Sequence, residues 1–372
     1  MLASVTRASA LSFCVLACAA SPAPSDDGGT DGTDGSSDTT AAEATTAMPT
    51  TTASPMTDSV TTTAVSDSAS MTTTESATGD SSDSGDPTGD TGVTPTPDDC
   101  ITDVAAGHHT FECDGITYEV EVPDACLQAP CGLVFDVHGY TMSAQMQDAN
   151  TNMRALGQAY GYIIVQPSAN PAPPAASWTP ATDDDLVFAF MQRVATAWDV
   201  DSDRWHFTGF SQGGYMSWRF ICDHANVLAS VAPAAACGDG FAFPDCRFAD
   251  DEVPSEPLDI MFMHGTDDGL VNYACAEPRV QAVVDHFGLG EAETVDEGDG
   301  FRWTRHTGDD AVMEFISHDY AAANLLIRGH CYPGSTDPGD AQGQLFSFAC
   351  EGDNGFVWGD IAMQFFVDHP KG

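Results

Sequence analysis

The strongest chemical signal in the sequence is Gly209–Phe210–Ser211–Gln212–Gly213, which fits the pattern G-x-S-x-G. A β-prone run, Trp205–Thr208, precedes it, and a helix-prone run from Tyr215 to Cys222 follows. A serine on a sharp strand-to-helix turn presents its hydroxyl as a nucleophile, and the flanking glycines keep side chains off neighbouring backbone. The hydroxyl needs a base, and the base needs a carboxylate to orient it. With the serine on such a turn, the order along the chain is serine, acid, histidine. After the run Leu258–Met263 come His264–Gly265–Thr266–Asp267–Asp268; Asp268 is the expected acid and Asp267 the alternative. His330, in Gly329–His330–Cys331–Tyr332–Pro333–Gly334, is the expected base. His306 and His318 read as surface or packed residues, and His264 as a hydrogen-bonding partner of the acid's loop. The oxyanion of acyl transfer needs two N–H donors, expected from the backbone of Gln212 and of Tyr140 or Thr141 after His138–Gly139. A histidine base must be neutral to take the proton, so turnover is expected to rise through about pH 6–8. This chemistry requires no cofactor and no metal.

Alternating strands and helices must position these residues. Strand-like runs are Leu133–Val137, Tyr162–Val165, Trp205–Thr208, Leu258–Met263 and Leu325–Ile327, the last leading to His330. Helical stretches are expected over 145–160, 185–198, 215–222 and 356–367. Such alternation predicts a mostly parallel sheet with helices on both faces and the chemistry at the carboxyl ends of its strands. Other constellations are weaker. Asp199, Asp201 and Asp203 start like a calcium loop, but Arg204 and Phe210 stand where the loop needs Gly and Glu, so the stretch reads as a turn before the nucleophile strand. Trp198 and Trp205 read as core, and Trp178, in a loop among prolines, as a candidate wall of the substrate cleft.

The chain has 372 residues, 56 acidic against 11 basic, and a formal net charge of −45. Lys371 is the only lysine. No basic patch is available for nucleic acid or for anionic lipid. Met1–Ala20 carry Arg7 and a short apolar run, which reads as an export signal. Within it Val15–Leu16–Ala17–Cys18 resemble a bacterial lipoprotein signal, making Cys18 the lipidation candidate and an N-terminal lipid anchor the expected membrane contact. Residues 21–99 are acidic and rich in Thr, Ser, Gly and Pro, with no Lys or Arg and no Phe, Trp, Tyr, Leu or Ile. That composition cannot bury enough apolar surface to offset chain entropy, and it reads as a disordered spacer. Residues 100–372 are then the catalytic domain. Its ten cysteines read as disulfides of an exported protein, since no paired CxxC spacing suggests zinc. The close pairs Cys126/Cys131 and Cys237/Cys246 are candidate local bridges; the remaining connectivity is open.

Taken together, several stretches resemble the secreted α/β-hydrolase esterases grouped with polyhydroxybutyrate depolymerases and with feruloyl and acetylxylan esterases. They are VFDVHGYTMSA (134–144), GYIIVQPSA (161–169), SW (177–178), DVDSDRWHFTGFSQGGYMS (199–217), SVAPAAA (230–236), MHGTDDGLVNY (263–273), GHCYPG (329–334) and FFVDHP (365–370). The resemblance spans roughly 110–370 and implies an α/β-hydrolase fold. By it Ser211 matches the nucleophile, Asp268 the acid of an HGTxD stretch, and His330 the base of a GHxxPG stretch. The family usually has Trp where Tyr332 stands and Asn where Gln212 stands, and the acidic segment 288–299 does not match. The implied substrate is a bulky or water-insoluble ester outside the cell: a polyhydroxyalkanoate first, a feruloylated or acetylated polysaccharide second.

Overall fold

The computed structural model describes residues 94–238, 245–249, 252–340 and 343–372. The export signal with Cys18, and residues 21–93 of the acidic stretch, lie outside the described residues.

Ten strands form one sheet: β1 (Gly107–Cys113), β2 (Ile116–Val122), β3 (Gly132–Val137), β4 (Tyr162–Ser168), β5 (Trp205–Phe210), β6 (Ser230–Ala234), β7 (Asp259–Gly265), β8 (Glu293–Gly298), β9 (Phe301–Thr307) and β10 (Val312–His318). Their spatial order is β1-β2-β4-β3-β5-β6-β7-β10-β9-β8. The six inner strands from β4 to β10 pair in parallel, and both margins are antiparallel. The inner strands are buried along nearly their whole length, as a sheet covered on both faces requires.

Helices α3 (Asp183–Ala197), α4 (Gln212–His224) and α5 (Ala276–Phe287) cover one face, where Phe190, Trp218 and Val283 meet Leu133, Phe135 and Phe207. Helices α1 (Ala144–Thr151), α2 (Met153–Tyr160) and α6 (Trp358–Asp368) cover the other, where Met146, Met153 and Phe366 meet Val134, Ile164 and Met261. This is the α/β-hydrolase arrangement. Among the described residues no helix is long and apolar enough to cross a membrane.

Several expectations need correction. The helical stretch 145–160 is two helices, because Asn152 adopts a left-handed φ of 53° that ends α1. Leu325–Ile327 is not a strand. Asn324 captures the N–H groups of Leu326 and Ile327 in a turn (3.0 and 3.1 Å), and Leu325 and Leu326 are 83% and 75% exposed. The strand that leads to the His330 loop is β10, beside β7. The acidic segment 288–299 supplies β8, a fully exposed margin whose Glu293, Asp296 and Glu297 guard an open edge.

Five disulfides join Cys100–Cys113, Cys126–Cys131, Cys222–Cys246, Cys237–Cys275 and Cys331–Cys350. The candidate pair Cys237/Cys246 is therefore replaced: each of the two cysteines reaches a partner on a different element. The turn at 199–203 closes on itself, with Asp201 accepting from the Asp203 N–H and pairing with Arg204 at 2.9 Å. The N-terminal stretch is fastened to α3 by Thr96 N–H to Ala197 O (2.8 Å) and by Arg193 to Asp98 and Asp99.

Candidate active site

Ser211 sits between β5 and α4 with φ 55° and ψ −115°, a conformation that costs a non-glycine residue energy and is held by its surroundings. Its N–H donates to Ala234 O at 2.9 Å, and its carbonyl accepts from Tyr215 N–H. The two glycines are sterically required. A Cβ on Gly209 would stand 2.5 Å from Gly213 O, and one on Gly213 would stand 2.1 Å from Val137 O. The turn thus packs directly on the end of β3, and the Gly139 loop that follows lies against Ser211.

Asp268 lies on the turn after β7. One carboxylate oxygen accepts the N–H groups of Leu270 and Val271 at 2.8 and 2.7 Å. The other accepts from His330 Nδ1–H at 2.7 Å, with His264 Nε2 at 3.4 Å. Burial pushes the Asp268 carboxyl up, but the charges and hydrogen bonds of His330 and His264 outweigh it and hold the group well below the usual carboxylate range. Asp267 is different: its side chain is exposed, and it pairs with Arg328 at 3.2 Å. Its carbonyl accepts from Gly329 N–H, so the acid and histidine loops are stitched by backbone. Buried His330 keeps Nε2 free of Asp268, and its ring lies 4.6 Å from that of Phe210, the residue before Ser211. His264 donates from Nε2 to Val271 O at 3.0 Å.

The loop after β3 is held from several sides. His138 is fully buried; Nδ1–H donates to Gly139 O (2.7 Å) and Nε2 accepts from Ala169 N–H (3.0 Å). Burial pulls its pKa down to about 4, so it stays neutral. Trp178 is not a cleft wall. It is buried beneath this loop, its indole N–H donating to His138 O at 2.8 Å. Gln212 explains why. Its amide oxygen accepts from Trp178 N–H (3.0 Å), and its amide nitrogen donates to Trp178 O (2.9 Å) and Ser177 Oγ (3.0 Å). Thr141 N–H is engaged with Ala176 O at 2.9 Å, while the Tyr140 side chain is half exposed. An open cleft of about 860 Å³ flanks the loop, lined by Glu119, Ser143, Gln145, Ser168, Asn170 and Pro173 among others.

One group escaped the sequence reading. Asp136, two residues before His138, is fully buried and accepts from Gln147, Thr151 and Gln166. Its signal was a lone carboxylate in the otherwise apolar run Leu133–Val137.

No family model matches the chain. Feruloyl esterase D of Neurospora crassa is 29% identical over 238 residues, covering 59% of this chain and 77% of that protein. The bifunctional acetylxylan esterase/xylanase XynS20E of Neocallimastix patriciarum is 24% identical over 155 residues, which are 42% of this chain. The chain is a relative of feruloyl esterase-like esterases. It spans only 22% of the length of the Neocallimastix enzyme. Among solved structures, an acetyl xylan esterase from Aspergillus awamori overlays with a TM-score of 0.48 at 13% identity, over 57% of this chain and 93% of that one. The five disulfides of this esterase relative agree with export.

Proposed function

We propose that this chain is an exported serine esterase in which Ser211 attacks the ester carbonyl, His330 is the general base and Asp268 orients it. The observation that carries the reading is the 2.7 Å contact from His330 Nδ1–H to the buried Asp268 carboxylate, on a loop packed against the Ser211 turn. That contact fixes the tautomer, so Nε2 is the nitrogen that takes the Ser211 proton. The tetrahedral oxyanion is met by the backbone N–H of Gln212 and of Tyr140, Thr141 N–H being engaged elsewhere. His330 then protonates the leaving alcohol, and a water molecule activated by the same nitrogen releases the acyl group. The signal at 1–20 exports the protein, Cys18 is the candidate lipid anchor, and the acidic stretch 21–99 is the spacer.

The substrate we favour is an ester carried on a polysaccharide. The names of both relatives support this. One observation favours a second reading, an apolar polyester: Leu325 and Leu326 stand out into solvent on the loop before His330. The test offers the purified protein p-nitrophenyl butyrate, methyl ferulate, acetylated xylan and amorphous polyhydroxybutyrate, with Ser211→Ala as control. Turnover of the nitrophenyl ester that survives Ser211→Ala removes the mechanism. Ferulate or acetate release selects the first substrate, and 3-hydroxybutyrate release selects the second.

A further inference from the structure

We propose that a buried hydrogen-bond chain, Tyr332–Gln147–Asp136, positions the histidine loop against the nucleophile turn; the inference rests on the esterase reading above. Tyr332 lies two residues after His330 and is fully buried. Its ring stacks on Phe210 at 4.1 Å, and Phe210 in turn touches the His330 ring and precedes Ser211. The phenol donates to Gln147 Oε1 at 2.6 Å. Gln147 Nε2 donates to Asp136 Oδ1 at 2.5 Å, while Thr151 Oγ1 and Gln166 Nε2 donate to Oδ2, each at 2.8 Å.

The direction of every bond is set by the carboxylate. Ionised, it only accepts, so Gln147 must present its amide nitrogen to Asp136 and its oxygen to Tyr332, and Tyr332 must be the donor. Burial and the Asp136 charge push the Tyr332 phenol well above its ordinary value, which keeps that donor proton in place. The other charged groups facing the chain are Asp148, which accepts weakly from Gln166, Arg154, which donates to Gln166, and Asp337, near Tyr332.

A buried carboxylate is costly, and well-packed apolar side chains hold loops together without that cost. What the polar chain adds is a defined register. Asp136 is on the strand that feeds the His138–Gly139 loop, Gln147 and Thr151 lie one turn apart on α1, and Tyr332 belongs to the histidine loop. Its far side is pinned by Tyr332 N–H to Phe348 O (2.8 Å) and by the Cys331–Cys350 bridge. One network therefore ties the oxyanion loop to the base, and the Phe210 stack ties both to the nucleophile. Tyr332 and Gln147 are positioning residues, acting through His330 and Ser211.

The test is Tyr332→Phe, which deletes one oxygen and keeps the stack, alongside Gln147→Leu and the double variant. For p-nitrophenyl butyrate, Tyr332→Phe is expected to lower kcat about tenfold with KM within twofold, because misplaced reacting groups cost turnover rather than ground-state binding. Labelling of Ser211 by a fluorophosphonate is expected to slow in parallel. The double variant is expected to lose no more than the worse single one, since both break the same chain. Thermal melts of all three set assay temperatures equally far below each midpoint, so a loss of folded protein is not read as a loss of rate. A kcat within twofold of wild type in Tyr332→Phe, or losses that multiply in the double variant, overturns the proposal while leaving the esterase intact. A wild-type protein that neither turns over the ester nor takes the label overturns the underlying reading instead.

Discussion

Replacing Gln212 by leucine tests how the nucleophile turn and the oxyanion loop depend on each other. The glutamine side chain is 2% exposed and makes three hydrogen bonds, two of them to the backbone of Trp178. Leucine fills much the same volume and makes none. Trp178 N–H and C=O are buried, and each left without a partner costs about 1–3 kcal/mol, whereas Ser177 Oγ can turn to water. Removing the buried amide and adding apolar surface offsets about 1 kcal/mol. A net loss of about 3 kcal/mol follows, or roughly 6–12 °C of melting temperature for a domain of this size. The chemistry suffers as well, although the variant keeps the backbone N–H of residue 212. Trp178 donates to His138 O and so holds the loop carrying Tyr140. Slackening of that loop is expected to lower kcat by about tenfold to a hundredfold. Differential scanning fluorimetry and p-nitrophenyl butyrate turnover, the latter well below the new midpoint, are the two assays. A melting point within 2 °C of wild type together with activity within about twofold would refute the reasoning.

Three further outcomes are expected. Gly213→Ala places a Cβ 2.1 Å from Val137 O and 2.8 Å from His138 O, both backbone, so the protein is expected to lose more than about 3 kcal/mol or to fail to fold; soluble protein with a wild-type urea midpoint contradicts this. Asp268→Asn is expected to reduce kcat/KM by about 10³–10⁴ and Asp267→Asn by less than about threefold, since the first bonds His330 and the second is an exposed partner of Arg328; equal effects in steady-state assays would reverse the assignment of the acid. Stability should fall on acidification. Burial lowers His138 to about 4 and His206 and His318 to about 3, so the unfolded chain takes up protons first, near pH 6.5, and stability drains as pH falls from about 6.5 towards 4. His224, lowered by burial to about 4, adds to this loss, and Asp268, also depressed, adds a loss below about pH 4, while Asp136, raised to about 6 by burial, and Asp183 and Asp223, also raised by burial, oppose the trend. The urea midpoint at pH 5 is expected below that at pH 7.5, and an equal or higher midpoint counts against the buried neutral histidines.

How much could be read from the sequence depended on whether a residue's demand is local. The Ser211 turn was legible because strand, two glycines and helix are contiguous, and the packing of Gly213 on Val137 O is the steric reason for that pattern. The inner strands β3, β4, β5 and β7 were legible because burial on both faces forces apolar runs. The β8 strand was not, because an exposed margin needs no apolar residue and its acids look like a loop. The leucines at 325 and 326 misled for the converse reason: apolar type alone suggested a strand, but a turn made by Asn324 puts both in solvent. His330 was still placed after a strand, because the strand that matters, β10, ends at His318 and feeds the same loop. Trp178 looked like a cleft residue from its neighbours in sequence, and only Gln212, 34 residues away, draws it under the loop. Cys222 and Cys237 likewise find partners 24 and 38 residues away, across elements whose placement no spacing rule supplies.

The buried polar chain marks the boundary between those two kinds of information. A lone carboxylate inside Leu133–Val137 announces that something must donate to it, because an unpaired charge at that position would cost more than most domains can spare. Gln147 and Thr151, four residues apart on a helix that must cover β3, are the nearest local candidates, and they do donate to it. That Gln147 also reaches Tyr332, 185 residues further on, follows only from the fold. In this protein the local need of one buried charge is met in part by the same side chain that holds the histidine loop in register, so a residue that satisfies a buried carboxylate also sets the geometry of the reaction.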